Sequence, residues 1–461
     1  MFRDLFKTFG NCFKIPELKS RILFTFGLLA VARLMAVIRI PGLNGQALAD
    51  YFHKAQNNGT GGLLGMYNTF AGGAFEHCAI GSLGIMPYIS ATIILQLLTA
   101  VIPSLSKLAR EEGGRTKIIQ YGRYLTVLIC IGQGAYFAAN WLQPAKVFSD
   151  FVGTLVLIDN RWIYFMEAVS VMTAGTMLLM WLGEQITERG IGNGVSLIIT
   201  IGILARMDVA VMAAKDMFFP SSGEPTHSLL GTGLLLLVLL IVVVAGVIAI
   251  TQAQRKIPVQ YASRMVGQKM YQGGTNYMPL RVNYAGVMPI IFASSILMFP
   301  QTLFTLIANH SKLLRDPALA LASAFNYGSW LYLSIYALMI LFFSYFWVAT
   351  QFNEIQIADD LKKNGGYIPG VRPGQGTSDY LHRAMSRITL AGALFLTVIA
   401  IIPIILSRQL NINQNVSQFF GGTSILIAVG VLLDTMRQVE SHLMMRHYDG
   451  FLKKGRVRGR F

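Results

Sequence analysis

Apolar residues run along this chain in long blocks, separated by short polar stretches rich in Lys, Arg, Gly and Pro. A bilayer core about 30 Å thick is crossed by roughly 20 apolar residues in a helix. Ten segments reach that length, near 22–40, 79–101, 122–142, 162–183, 191–209, 229–251, 285–307, 327–350, 385–406 and 421–440. The stretch 229–250 carries no charge, whereas the first segment carries Arg33 and Arg39 and the fifth is charge-free only over 190–205. An eleventh apolar stretch, 61–76 (GGLLGMYNTFAGGAFE), is too short and glycine-rich to span. Such a segment is interfacial, re-entrant or packed inside the protein. The pattern predicts an all-α polytopic membrane protein with ten transmembrane helices.

Composition agrees. Of 461 residues, 54% are hydrophobic and 13% charged, against about 25% charged in an average soluble domain. A chain with so few charges cannot cover its outside with polar groups, so its solvent is lipid. This excludes a soluble enzyme, a disordered tail protein and a coiled coil. Three cysteines, Cys12, Cys78 and Cys130, make no disulfide framework, and no Cys/His spacing suits zinc. No metal site and no cofactor are expected.

The net charge of +16 would suit a nucleic-acid binder until the charges are placed on the span map. With ten spans and a cytoplasmic N-terminus, 28 of the 38 Lys and Arg fall in cytoplasmic segments and eight in outer loops. That is the positive-inside bias, and it puts both termini in the cytoplasm. The first 21 residues hold five basic residues, two acids and Pro16, so the first apolar run reads as a retained span rather than a cleaved signal.

The spans also repeat. GIMPYISATI at 84–93 and GVMPIIFASS at 286–295 share Gly84/Gly286, Met86/Met288, Pro87/Pro289, Ile89/Ile291 and Ala91/Ala293. One copy opens span two and the other span seven. An offset of five spans turns the second half upside down, an inverted repeat that places a pathway near the midplane. The organisation expected is a cytoplasmic segment 1–21, an N-terminal half 22–209, an outer loop 210–228, a C-terminal half 229–440 and a basic tail 441–461.

Ion and solute transporters keep ionisable residues at mid-membrane. Here Glu167, Arg206, Asp208 and Asp434 lie near span ends, and Arg33, the deepest, reads as a helix-packing or interfacial arginine rather than a substrate site. No phosphate loop, His-Glu-x-x-His or Gly-x-Ser-x-Gly is present, so the chain is not expected to be an enzyme, and work must come from a partner or gradient. Two long basic cytoplasmic loops, 252–284 and 351–387, offer docking surfaces.

Five stretches carry a family resemblance: GIMPYISATIILQLL at 84–98, ITERGIGNGVSLII at 186–199, RVNYAGVMPIIFASSILMFP at 281–300, GGYIPGVRPGQGT at 365–377 and FGGTSILIAVGVLLDTMRQVES at 420–441. Through them the chain resembles, over essentially its whole length, the SecY/Sec61-alpha family of protein-translocation channels. The resemblance implies two five-helix halves around an hourglass pore in the bacterial plasma (inner) membrane. It implies that unfolded polypeptides are conducted outward and hydrophobic segments released sideways into lipid. A plug helix would lie within 61–76 and include Leu63, Leu64, Met66, Tyr67, Phe70 and Phe75. The pore ring would be Ile85, Ile89, Val195, Ile199, Ile291 and Ile427, with Val195 one methylene shorter than the family's usual isoleucine. A lateral gate would include Ser90, Gln96, Asn193 and Phe299. Arg255, Lys256, Arg264, Lys269, Arg372 and Arg383 would dock the SecA motor or the ribosome, ribosomal RNA included, although Gln268 stands where the family often has a basic residue. SecE and SecG subunits, signal peptides, nascent chains and membrane lipids complete the implied partners. The rival reading is an inverted-repeat secondary transporter for a small solute, which the scarcity of mid-span carboxylates disfavours.

Overall fold

The computed structural model of the chain describes residues 15–454 apart from 58–61, 112, 145–150, 152, 220–228, 262–263, 267–268, 272–273, 311–314, 327, 411, 413–415, 418 and 420–422. It divides into two compact units. The first comprises Met1–His227, Asn413–Phe419 and Val431–Phe461, and the second Ser228–Ile412 and Phe420–Gly430.

In the first unit the chain runs through α1 (Pro16–Leu34), α2 (Gly45–Asn57), α3 (Gly62–Phe70), α4 (Met86–Val101), α5 (Pro103–Arg110), α6 (Gly114–Leu142), α7 (Arg161–Arg189), α8 (Gly194–Leu204) and α9 (Met207–Phe218). Proline lies in the first turn of α1, α4 and α5, where its missing N–H has no intrahelical partner to lose. Asn160 caps α7 by accepting from the Trp162 N–H at 3.1 Å. Ile102 is extended before Pro103, as a residue preceding proline must be, and α4 and α5 therefore meet at 105°. The core gathers Leu48, Phe52, Phe75, Trp141, Tyr164 and Met172.

Two boundaries differ from the sequence reading. The apolar run 79–101 becomes helical only at Met86, because residues 71–85 are turns; Gly72, Gly73 and Gly84 there take positive φ, which helix does not use. The fifth segment is α8 and α9 separated by Ala205 and Arg206, and Arg206 stands at φ −98° and ψ 9°.

In the second unit a π-turn, Leu229–Gly233, leads into α10 (Leu234–Gln252). Then come β1 (Gln254–Tyr261), β2 (Arg264–Val266), β3 (Lys269–Tyr271), β4 (Thr275–Arg281), α11 (Met288–His310), α12 (Arg315–Ala324), α13 (Trp330–Gln351), α14 (Glu354–Lys363), β5 (Gly366–Tyr367) and α15 (Gln375–Gln409). The last helix, α16 (Thr423–Lys454), starts in this unit and belongs to the first from Val431. Among the described residues six helical stretches are long and apolar enough to cross a membrane, with α8–α9 and α13–α14 each counted as one, or seven if the bent α4–α5 pair also counts as one.

The long apolar segments are helical as expected, and the strands lie within and beside the 252–284 segment between α10 and α11. β1 pairs antiparallel with β4, from Gln254↔Arg281 to Gln260↔Thr275, and with β5 through Gln260↔Tyr367 and Tyr261↔Gly366. β2 and β3 form a separate hairpin. The cause is period-two patterning: Ile257 and Val259 on β1 and Leu280 on β4 are buried against Phe352, Ile368, Leu381 and Met385, while Arg255 and Lys256 at the start of β1 are exposed. The two basic segments are therefore one folded body.

Candidate functional site

α3 and the turns after it are tied to the rest of the first unit by ring contacts and backbone hydrogen bonds. Tyr67 and Phe75 enter an aromatic cluster with Phe137 of α6, at centroid separations of 5.3 Å (Tyr67–Phe137), 4.9 Å (Phe75–Phe137) and 5.5 Å (Tyr67–Phe75). Phe70 is buried. The side chains of Leu63, Leu64 and Met66 lie outside the described residues. Beyond α3, the Ile40 N–H donates to the Cys78 carbonyl and the Ile80 N–H to the Ile38 carbonyl, at 2.9 Å each. These turns fix where α4 begins.

The same segment holds a buried polar cluster that hydropathy does not reveal. Asn68 Nδ2 donates to Glu76 Oε2 at 2.6 Å, and the Glu76 N–H donates back to Asn68 Oδ1 at 3.2 Å. Arg206 Nη1 lies 2.8 Å from Glu76 Oε1, an ion pair that is close but not aligned as a hydrogen bond. Arg33, at the end of α1, donates to the Gly72 carbonyl. Burial holds the His77 imidazole below its usual range against the pull of Glu76, whose Oε1 lies 3.7 Å from His77 Nε2. The one signal in the sequence is Glu76 itself, a lone carboxylate closing the apolar run 61–76.

Three of the expected ring residues, Ile85, Ile89 and Ile291, follow matched local structures. Gly84 and Gly286, equivalent in the repeat, have φ of +60° and +62°, and α4 and α11 each begin two residues later. In the first unit Ile85, Ile89 and Ile199 are buried and Val195 is half-buried; in the second, Ile291 and Ile427 are buried. Of the expected gate residues, Ser90 is buried and Gln96 half-buried on α4. Asn193 caps α8, its Oδ1 accepting from the Ser196 N–H at 3.2 Å. Phe299 falls within α11, with its side chain outside the described residues.

The ITERGIGNG stretch is a junction rather than a surface. Thr25 Oγ1 accepts from the Ile191 N–H at 3.1 Å, Gln438 Oε1 from the Gly192 N–H at 2.8 Å and Thr187 Oγ1 from the Gly194 N–H at 2.9 Å. It joins α1, α7, α8 and α16. A Cβ at Gly194 would lie 2.0 Å from the Gly183 carbonyl oxygen, so the glycine is needed for close approach.

On the basic body, Arg255 and Lys256 are exposed on β1, and Arg372 is exposed in the turn between β5 and α15. Gly370 and Gly374, at φ +81° and +94°, flank that turn, and the Arg372 carbonyl accepts from Thr377 Oγ1 at 3.1 Å. Arg383 lies on α15 rather than in a loop, its Nε donating to the Asp379 carbonyl at 3.3 Å. Arg264 and Lys269 lie on β2 and β3, with side chains outside the described residues, and Gln268 is outside them altogether.

These features define a polytopic helical membrane protein with a tucked helix ahead of a broken span and a basic folded body. The SecY family profile matches residues 79–436. The chain is 43% identical over 460 residues to the protein translocase subunit SecY of Chlamydia trachomatis serovar D, covering 98% of this chain and 99% of that one. It is 42% identical to the protein translocase subunit SecY of Thermotoga maritima, covering 99% and 100%. Among solved structures it is similar to a protein-conducting channel (TM-score 0.58, 16% identity, 95% and 94% covered). It is also similar to a SecY protein whose plug domain stabilises the closed state of its translocation channel (TM-score 0.59, 17% identity, 97% and 99% covered). A third similarity is to Sec61 in a canine ribosome–channel complex (TM-score 0.54, 15% identity, 95% and 94% covered). The chain belongs to the SecY family.

Proposed function

We infer that this chain is the protein-conducting subunit of a translocase in the plasma membrane. It passes unfolded polypeptides across the bilayer and releases apolar segments sideways into lipid. The observation that carries this is its relation to SecY translocase subunits along 98% of its length. The solute-transporter alternative has no comparable support.

The finer assignments are proposals. Ten spans place both termini in the cytoplasm, by the charge bias. The α3 segment is the plug. Ile85, Ile89, Val195, Ile199, Ile291 and Ile427 form a ring of branched aliphatic side chains, which excludes a water thread without reading any particular sequence. The recurrence of Ile89 and Ile291 at equivalent places in the repeat supports that reading. Ser90, Gln96, Asn193 and Phe299 line the lateral gate. SecE and SecG are the membrane partners. The basic body, through Arg255, Lys256, Arg264, Lys269, Arg372 and Arg383, receives SecA or a ribosome. The chain itself is not an enzyme, and its partner supplies the work.

A photo-crosslinking amino acid placed at Ile89, Ile199, Ile291 or Ile427 tests the conduit. A preprotein arrested midway is expected to crosslink to each. The same probe at Val238 or Val242, exposed on α10, is expected to capture lipid. Equal capture of the arrested chain at both sets of positions would remove the ring assignment.

A further inference from the structure

We propose that Glu76 is the positioning residue that locks the α3 segment in its seat, held by Arg206 across the seat and by Asn68 within the segment. The proposal rests on the reading of α3 as the plug.

All three residues are almost completely buried, with relative exposures of 0% for Asn68, 6% for Glu76 and 8% for Arg206. A buried ion pair is a weak stabiliser, since desolvation offsets most of the attraction and packed apolar side chains serve as well. Its distinctive property is asymmetry: removing one partner strands a charge. That suits a catch that has one seated position.

The geometry divides the catch into a part that travels and a part that stays. Asn68 and Glu76 belong to the same segment, and their two reciprocal hydrogen bonds close α3 onto the turn after it. Arg206 stands at the junction of α8 and α9, and Arg33 at the end of α1. Both arginines reach the segment from outside it, Arg206 to the Glu76 carboxylate and Arg33 to the Gly72 carbonyl. Downstream, residues 78–81 are fastened by backbone bonds to residues 35–40. Cys78, between the two regimes, is the described non-glycine residue with positive φ, at 48°.

The glycines make the seat fit. A Cβ at Gly72 would lie 2.9 Å from Gly202 Cα on α8 and 3.1 Å from Arg33 Nη1. One at Gly73 would lie 3.1 Å from Arg206 Nη1 and 3.3 Å from Glu76 Oε1. Side chains there would part the arginines from their partners. The Arg206–Glu76 contact is short but lacks hydrogen-bond alignment. It holds by charge, so a modest shift of the segment breaks no directional bond at that point, while the Asn68 clip moves intact.

The test uses the full chain with its partner subunits in planar bilayers, and reads ion leak with no substrate present. Deletion of residues 62–70 sets the leak of an unplugged channel. Glu76→Gln and Arg206→Gln are each expected to raise resting leak about tenfold or more, as one stranded buried partner would. The exchange Glu76→Arg with Arg206→Glu is expected to recover most of the seal, which a merely structural role would not. If the deletion leaks and the single variants stay tight, the lock is wrong and the plug stands. If the deletion itself stays tight, the plug reading fails. If the singles leak and the exchange leaks equally, the charge pair is not the catch. Should Glu76→Gln not accumulate, Asn68→Ala, which removes only the clip, is read instead; a leak equal to wild type would overturn the proposal.

Discussion

Ile427 has no exposed surface, and Ile89 is 4% exposed. Aliphatic side chains at such positions serve a core equally well, so burial alone does not distinguish a seal. The Asn substitution does. Ile89→Asn or Ile427→Asn is expected to raise ion conductance and admit substrates with weak signals, because an amide stabilises water in an apolar constriction. Unchanged conductance in planar bilayers would return these residues to ordinary packing. Gly72 tests the backbone in the same way. At φ +67° an alanine costs about 1–2 kcal/mol before any clash, and its Cβ meets Gly202 backbone. Gly72→Ala is therefore expected to lower the thermal midpoint and loosen α3 together. A wild-type midpoint with a tight channel would contradict the close approach. At this scale the sequence is partly legible. Repeat positions such as Gly84 and Gly286 stand out because identity recurs at a fixed place. Glu76 and Arg206 do not, because they lie 130 positions apart and their pairing is created by the fold.

Helices are legible as elements because a bilayer demands long apolar runs. Where each helix stops is less so. The start of α4 at Met86 depends on glycine turns that hydropathy does not register, and the break between α8 and α9 is a turn of two residues, Ala205 and Arg206. The sheet escapes for a different reason. Its alternation covers only two buried positions on β1, Ile257 and Val259, and its partners come from residues 275–281 and 366–367. One consequence separates platform from contact. Val259→Asp buries a carboxylate in a small core and is expected to disorder β1, β4 and β5 together, by about 2 kcal/mol or more. Arg372→Glu, on an exposed turn, is expected to leave the sheet intact. Both should abolish SecA-driven export. Protease sensitivity of 254–281 should rise only in the first. Normal export by Arg372→Glu would take that residue out of the docking surface, and cleavage in both variants would deny that the turn is separate from the core.

For the whole molecule, the proposal is that this chain conducts polypeptides that a partner drives. Hydropathy and charge bias point to a polytopic membrane protein, and the repeat to an internal duplication. Neither distinguishes a polypeptide channel from an inverted-repeat solute carrier, since both plans place a pathway between halves. The distinction comes from family membership, and the chemistry accords with it: Arg206 is paired with Glu76, and the expected ring residues are aliphatic. The most direct measurement is import into proteoliposomes containing the chain with its partner subunits. With SecA and ATP outside, a signal-bearing preprotein is expected to become protease-protected, and to remain exposed when SecA, ATP or the chain is omitted. Absence of protection under complete conditions, together with uptake of a small solute driven by an ion gradient, would contradict the account.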